Sequence, residues 1–112
     1  MKAVIWHNPR CSKSREALAI LNDTPGVEVE IVEYLKQPPT RAEIERLLDK
    51  GGLSPRDILR HAEPEAKALA DGRDDAILDA MVRFPILIER PIVETEKGVR
   101  LGRPPEAIRE IL

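Results

Sequence analysis

The chain has 112 residues and a formal net charge of −2. That size fits one compact domain with a real core, and that charge excludes a global electrostatic pull toward nucleic acid or an anionic membrane. The longest apolar runs, Ala3 to Trp6 and Pro85 to Ile88, are far too short to span a bilayer, and the N-terminal residues show no signal-peptide pattern.

Ala3 to Trp6 is continuously apolar, as suits a strand covered on both faces. The Asn8-Pro9 turn follows, and a helix is predicted from about Cys11 to Leu21, with Ser14, Ala17, Leu18 and Leu21 on its inner face. Asn22-Asp23-Thr24-Pro25-Gly26 ends it. Val27, Val29 and Ile31 alternate with Glu28 and Glu30, which predicts a half-buried strand at a sheet edge. Strand, helix, strand at this spacing is a βαβ unit, so the two strands should be parallel.

Gln37-Pro38-Pro39 then breaks the chain. Thr40-Arg41-Ala42-Glu43 reads as a capping box, Ile44, Leu47 and Leu48 form the apolar stripe of its helix, and Gly51-Gly52 stops it. Ser54-Pro55 starts a short helix leading to Leu59-Arg60. Further helices are predicted over Glu65 to Ala70 and over about Asp74 to Phe84, the latter with Ile77, Leu78 and Met81 inward. Ile92 to Thr95 and Val99 to Leu101 flank Glu96-Lys97-Gly98 as an antiparallel hairpin. Pro104-Pro105-Glu106 opens a last helix with Ile108, Ile111 and Leu112 packing back. The order βαβ, helices, ββα predicts an α/β fold. It is a thioredoxin-like mixed four-stranded sheet, with the apolar first strand central and a helical insertion of about residues 35–90 within one domain.

Cys11 is the only cysteine. It can form no internal disulfide, which points to a reducing, cytoplasmic setting. It stands where strand gives way to helix, so free N–H groups point at its sulfur. The thiolate, not the thiol, is the nucleophile. Making a thiol a hundredfold stronger acid takes roughly 2.7 kcal/mol. A helix terminus supplies about 0.3–1 kcal/mol, up to ~2 when partly buried, so a cation is needed too. Arg15, one turn on, leans back toward the sulfur. His7 could tune the thiol as a cation or as a neutral hydrogen-bonding partner. Zinc is a poor fit, because His7 and Cys11 supply two ligands where a structural site wants four. Cys11 and Ser14 also make a Cys-x-x-Ser pair, which can hold a mixed disulfide but cannot close one internally.

The run His7-Asn8-Pro9-Arg10-Cys11-Ser12-Lys13-Ser14-Arg15 resembles the His-x3-Cys-x3-Arg signature of the glutathione/glutaredoxin-coupled arsenate reductase (ArsC) family. Leu59-Arg60, Ile88-Glu89-Arg90-Pro91-Ile92-Val93 and Val99-Arg100-Leu101-Gly102-Arg103-Pro104 agree with it in order and spacing. The resemblance implies a thioredoxin-like fold, a nucleophilic Cys11 and substrate-binding Arg60, Arg90 and Arg103, with Arg90-Pro91 at the cis-proline position. Arginine forks suit a tetrahedral oxyanion. It further implies arsenate as substrate, glutathione as co-substrate, glutaredoxin as reductant, no bound cofactor or metal, and a cytoplasmic monomer without nucleic-acid or membrane partners. In the implied reaction the Cys11 thiolate attacks arsenic and glutathione attacks the adduct. Glutaredoxin then reduces the Cys11–glutathione disulfide as trivalent arsenic leaves.

Two other readings compete. A general glutathione-dependent thiol oxidoreductase would use the Cys-x-x-Ser pair but leaves the three arginines unexplained. A redox-responsive regulator that binds RNA polymerase would be expected to use Cys-x-x-Cys, and Ser14 fills the second position here.

Overall fold

Two compact units make up the chain, Met1–Gln37 with Arg90–Leu112, and Pro38–Glu89. The computed structural model describes residues 1–69 and 72–112.

In the first unit β1 (Lys2–Trp6), β2 (Glu28–Val32), β3 (Ile92–Thr95) and β4 (Gly98–Leu101) form one sheet in the order β2-β1-β3-β4. β1 runs parallel to β2, from Lys2↔Glu28 to Trp6↔Val32, and antiparallel to β3. β3 and β4 form the expected hairpin, with Thr95 opposite Gly98. The turn is therefore two residues, Glu96 and Lys97, and Gly98 opens β4 with a φ of 149°. The apolar first strand is central and the glutamate-bearing second strand lies at an edge, as its composition demands.

Helix α1 (Ser12–Asn22) begins one residue later than the periodicity predicts, and Cys11 is its N-cap, with extended φ −93° and ψ 122°. Ala3 and Ile5 of β1, Ala17 and Leu21 of α1, Val93 of β3, and Ile108 and Ile111 form one core cluster. The last two lie on a final helix, Pro105–Ile111, that is 3-10 rather than α. Each large aliphatic side chain removed from water here is worth about 1.5–3 kcal/mol. Val27 and Val29 pack against this cluster. Ile31, the strand partner of Ile5, does not: it is 48% exposed. The alternation predicted for β2 holds for the first two valines only.

In the second unit α2 (Arg41–Gly51) carries the expected capping box between Thr40 and Glu43, buries Ile44, Leu47 and Leu48, and ends at Gly52 in the left-handed region, φ 64°. A 3-10 turn, Pro55–Ile58, follows. Helix α3 covers Pro64–Lys67, so it starts and stops earlier than predicted; Ala70, its predicted end, lies outside the described residues. Helix α4 (Asp74–Arg83) buries Ile77, Leu78 and Met81. It stops one residue before Phe84, since a residue preceding proline is disfavoured in the α region. Phe84 is instead 51% exposed. Pro85–Leu87 form a further 3-10 turn, which no periodicity predicts. Arg41 of α2 reaches Asp75 (3.1 Å) and Asp79 of α4 as well as Glu45 on its own helix (2.9 Å), tying the two helices together. Among the described residues no helix is long and apolar enough to cross a membrane.

Candidate active site

The loop after β1 is built to present a sulfur. His7 extends the strand by one residue, its N–H donating to the Val32 carbonyl at 2.8 Å. Asn8 then organises the turn. Its carbonyl accepts from the Cys11 N–H and its side-chain Oδ1 from the Arg10 N–H, each at 3.0 Å. Such local Asx bonding is what asparagine contributes ahead of a helix. The Cys11 carbonyl accepts the first helical bond, from Arg15 N–H at 3.0 Å. Cys11 thus fills the place where serine, threonine or aspartate would offer an oxygen to the orphan N–H groups.

The half-buried sulfur makes no conventional cap bond, yet its surroundings favour the thiolate. Burial raises the Cys11 pKa. The Ser14 N–H, the Arg90 charge, the Lys13 N–H and a side-chain hydrogen bond from Arg90 together outweigh it, so the net shift is downward. A helix start supplemented by one guanidinium is therefore the arrangement that acts on this thiol. The guanidinium is that of Arg90. The Arg15 side chain lies elsewhere: its Nη1 donates to the Pro9 carbonyl at 2.9 Å, stapling the loop.

Behind the sulfur, His7 Nδ1 and Ser14 Oγ are 2.6 Å apart and buried. Ser14 Oγ also accepts from the Asn8 N–H at 3.1 Å. Burial pushes the His7 pKa down, Glu33 pulls it back up, and Arg15 adds to the lowering, for a net decrease. The arrangement suits a neutral imidazole accepting the Ser14 hydroxyl proton. Ser14 thus links His7 to the thiol, its hydroxyl bonded to the imidazole and its own N–H facing the sulfur.

Two further predicted residues belong to the same unit. The β3–β4 register sets Ile92 opposite Leu101. Continued past the strand ends, it sets Pro91 opposite Gly102 and Arg90 opposite Arg103. The Gly102 N–H donates to the Pro91 carbonyl at 2.9 Å, and Arg103 Nη1 donates to the Arg90 carbonyl at 3.2 Å. Both Arg90-Pro91 and Arg103-Pro104 are cis; the sequence reading expected only the first.

Gly102 was not singled out as a site residue. A Cβ placed on it would lie 2.7 Å from Pro91 Cγ, so only glycine fits there without a shift. Its position between two matched arginines was the available signal.

Arg60 belongs to the second unit. Leu59 bridges Ile88, Arg60 N–H donates to the Leu87 carbonyl at 2.7 Å, and Glu89 N–H donates to the Ile58 carbonyl at 2.7 Å. Its Nη1 pairs with Glu63 Oε1 at 2.8 Å. The Arg60 Nε is buried and meets no acceptor among the described residues. Glu63 was not picked out from the sequence, although its i+3 spacing from Arg60 was visible.

A cysteine capping the first helix of a β2-β1-β3-β4 mixed sheet, with a cis X-Pro bond entering the third strand, defines a thioredoxin-like thiol protein. The chain belongs to the ArsC family, whose model matches residues 6–111. It is 46% identical to the arsenate reductase of Escherichia coli strain K12, over 96% of this chain and 79% of that protein. It is equally identical, at 46%, to the protein YfgD of the same strain, over 96% of this chain and 94% of that one. The structure of an arsenate reductase from Vibrio cholerae superposes with a TM-score of 0.91 at 44% identity, covering 100% of this chain and 98% of that one.

Proposed function

We propose that this chain reduces arsenate to arsenite, with Cys11 as nucleophile and glutathione and glutaredoxin as the source of electrons. The observation that carries the reading is the Cys11 thiol, held below its usual pKa at a helix start beside Arg90. Relatives named arsenate reductase at this level of identity support it.

In this reaction arsenate, a tetrahedral oxyanion, is held by charge-assisted bonds from Arg90 and Arg103 and by helix-start N–H groups. Arg60 is proposed as a third ligand, on the family resemblance and on its buried Nε. The Cys11 thiolate attacks arsenic and displaces hydroxide, forming a sulfur–arsenic(V) bond. The glutathione thiolate then attacks the Cys11 sulfur. A disulfide forms, the sulfur–arsenic bond breaks, and its electron pair stays on arsenic, which leaves as arsenite. A glutaredoxin thiolate next attacks the glutathione sulfur, releasing the Cys11 thiolate. Ser14 couples His7 to the thiol, and Arg15 holds the Pro9 loop. Phosphate should occupy the same oxyanion cradle without completing the redox steps.

Arsenite formation with glutathione and glutaredoxin, each omitted in turn, tests the proposal. Activity should require both reductants and vanish in Cys11→Ser. Turnover that survives Cys11→Ser would discard it. Turnover of a glutathionylated protein without arsenate turnover would favour a general thiol oxidoreductase instead.

A further inference from the structure

We infer that Glu63 is a positioning residue for Arg60, holding Nη1 and leaving the side-on Nε–Nη2 edge of its guanidinium open for an oxyanion. The inference rests on the reading of Arg60 as an oxyanion ligand and adds the group that aims it.

Arginine presents two bidentate edges to an anion, the end-on Nη1–Nη2 pair and the side-on Nε–Nη2 pair. Glu63 Oε1 sits 2.8 Å from Nη1, so a carboxylate of the protein already engages the end-on edge. The other edge contains Nε, which is buried and finds no acceptor among the described residues. A buried donor left unmatched is costly, and its retention fits a site whose acceptor arrives with a ligand.

The pair is well placed to be rigid. The two side chains are only 22% and 18% exposed. The backbone beneath Arg60 is fixed by the Leu59↔Ile88 bridge and by its N–H bond to Leu87. The Glu63 N–H folds back on the Arg60 carbonyl at 3.1 Å, closing the turn that sets the spacing of the two side chains. Arginine otherwise has many rotamers to lose on binding, and a pre-formed partner removes that cost beforehand.

A substrate-aiming role makes a separable prediction. Glu63→Gln keeps the shape but weakens the hold, and Glu63→Asp keeps the charge with a shorter reach. Glu63→Gln should raise the arsenate KM about tenfold and leave kcat within about twofold. The inhibition constant for inorganic phosphate should rise in parallel, since phosphate reports binding without redox chemistry. Glu63→Asp should recover part of the loss. In an Arg60→Ala background, Glu63→Gln should add nothing.

Circular dichroism and thermal melting establish that each variant is folded, and Glu63→Asp serves if Glu63→Gln is not. A KM and a phosphate inhibition constant within twofold of the parent would overturn the inference, as would a lowered KM, which would make Glu63 a competitor for Arg60. An Arg60→Ala variant that keeps normal arsenate affinity would instead remove Arg60 from the proposed site.

Discussion

His7 Nδ1 lies 2.6 Å from Ser14 Oγ in a pair sealed from solvent. This pair links the pH response of the fold to the thiol. Burial, the largest influence on His7, lowers its pKa below the ordinary value of 6.5. A lowered folded pKa contributes stability that is present above the unfolded value and lost as pH falls through the folded one. The stability of the parent relative to His7→Gln should therefore fall as pH drops below about 6.5. Urea unfolding between about pH 5 and pH 7.5 reads this directly. Ser14→Ala, which strands both His7 Nδ1 and the Asn8 N–H, should cost about 1–3 kcal/mol at neutral pH.

Arg90 supplies the cation that lowers the Cys11 pKa, against the opposing effect of burial. Arg90→Ala should move the midpoint of thiol alkylation against pH upward. Arg15→Ala should leave that midpoint near the parent value, since the Arg15 guanidinium is spent on the Pro9 carbonyl. If Arg90 also meets the oxyanion, its removal should lower kcat/KM by about 10²-fold, the usual loss for one such donor. Iodoacetamide kinetics across pH, beside steady-state arsenite formation, separates the two effects.

The same thiol makes stability depend on pH on the alkaline side. Its folded pKa lies below the unfolded value, so its contribution is fully present above the unfolded pKa and is lost as pH falls through the folded one. The stability of the parent relative to Cys11→Ser should therefore grow as pH rises from the folded to the unfolded thiol pKa. Denaturant titrations of both proteins under reducing conditions check this, and a difference independent of pH would contradict it.

Gly102 packs against the ring of Pro91, where a Cβ would come within 2.7 Å of Cγ. The neighbour is a proline ring fused to the backbone, so it cannot swing away as a long side chain would. Gly102→Ala should destabilise the protein by about 1–3 kcal/mol through overpacking. It should also disturb Arg90, the residue before that proline, and so slow thiol alkylation at neutral pH.

Much of this was legible before any coordinates. The apolar run of β1, the glutamates of β2, the Thr40–Glu43 box and the stripe Ile44, Leu47, Leu48 each declare one element locally, and each formed. Cys11, Arg90 and Arg103 were picked out by motif, and the Cys11 end of the first unit brings Cys11 and Arg90 together. Other features depend on partners distant in sequence. The cation beside the sulfur was assigned to Arg15 by helix spacing, but a loop carbonyl competes for that side chain. Ile31 reads as an inward residue because alternation groups it with Val27 and Val29, yet it is 48% exposed. Glu63 and Gly102 acquire meaning only through what they touch.

The β3–β4 hairpin acts as a ruler for the chemistry at its open end. Its two-residue turn at Glu96 and Lys97 fixes which residues stand opposite one another, and that count alone aligns residue 103 with residue 90. One extra residue in that turn would leave every chemical group in place in the sequence, yet a slip of one position along β4 would flip its side chains to the other face of the sheet. Length variation at this turn, remote from the sulfur, is thus a route by which such a protein could lose its grip on an anion while keeping its nucleophile.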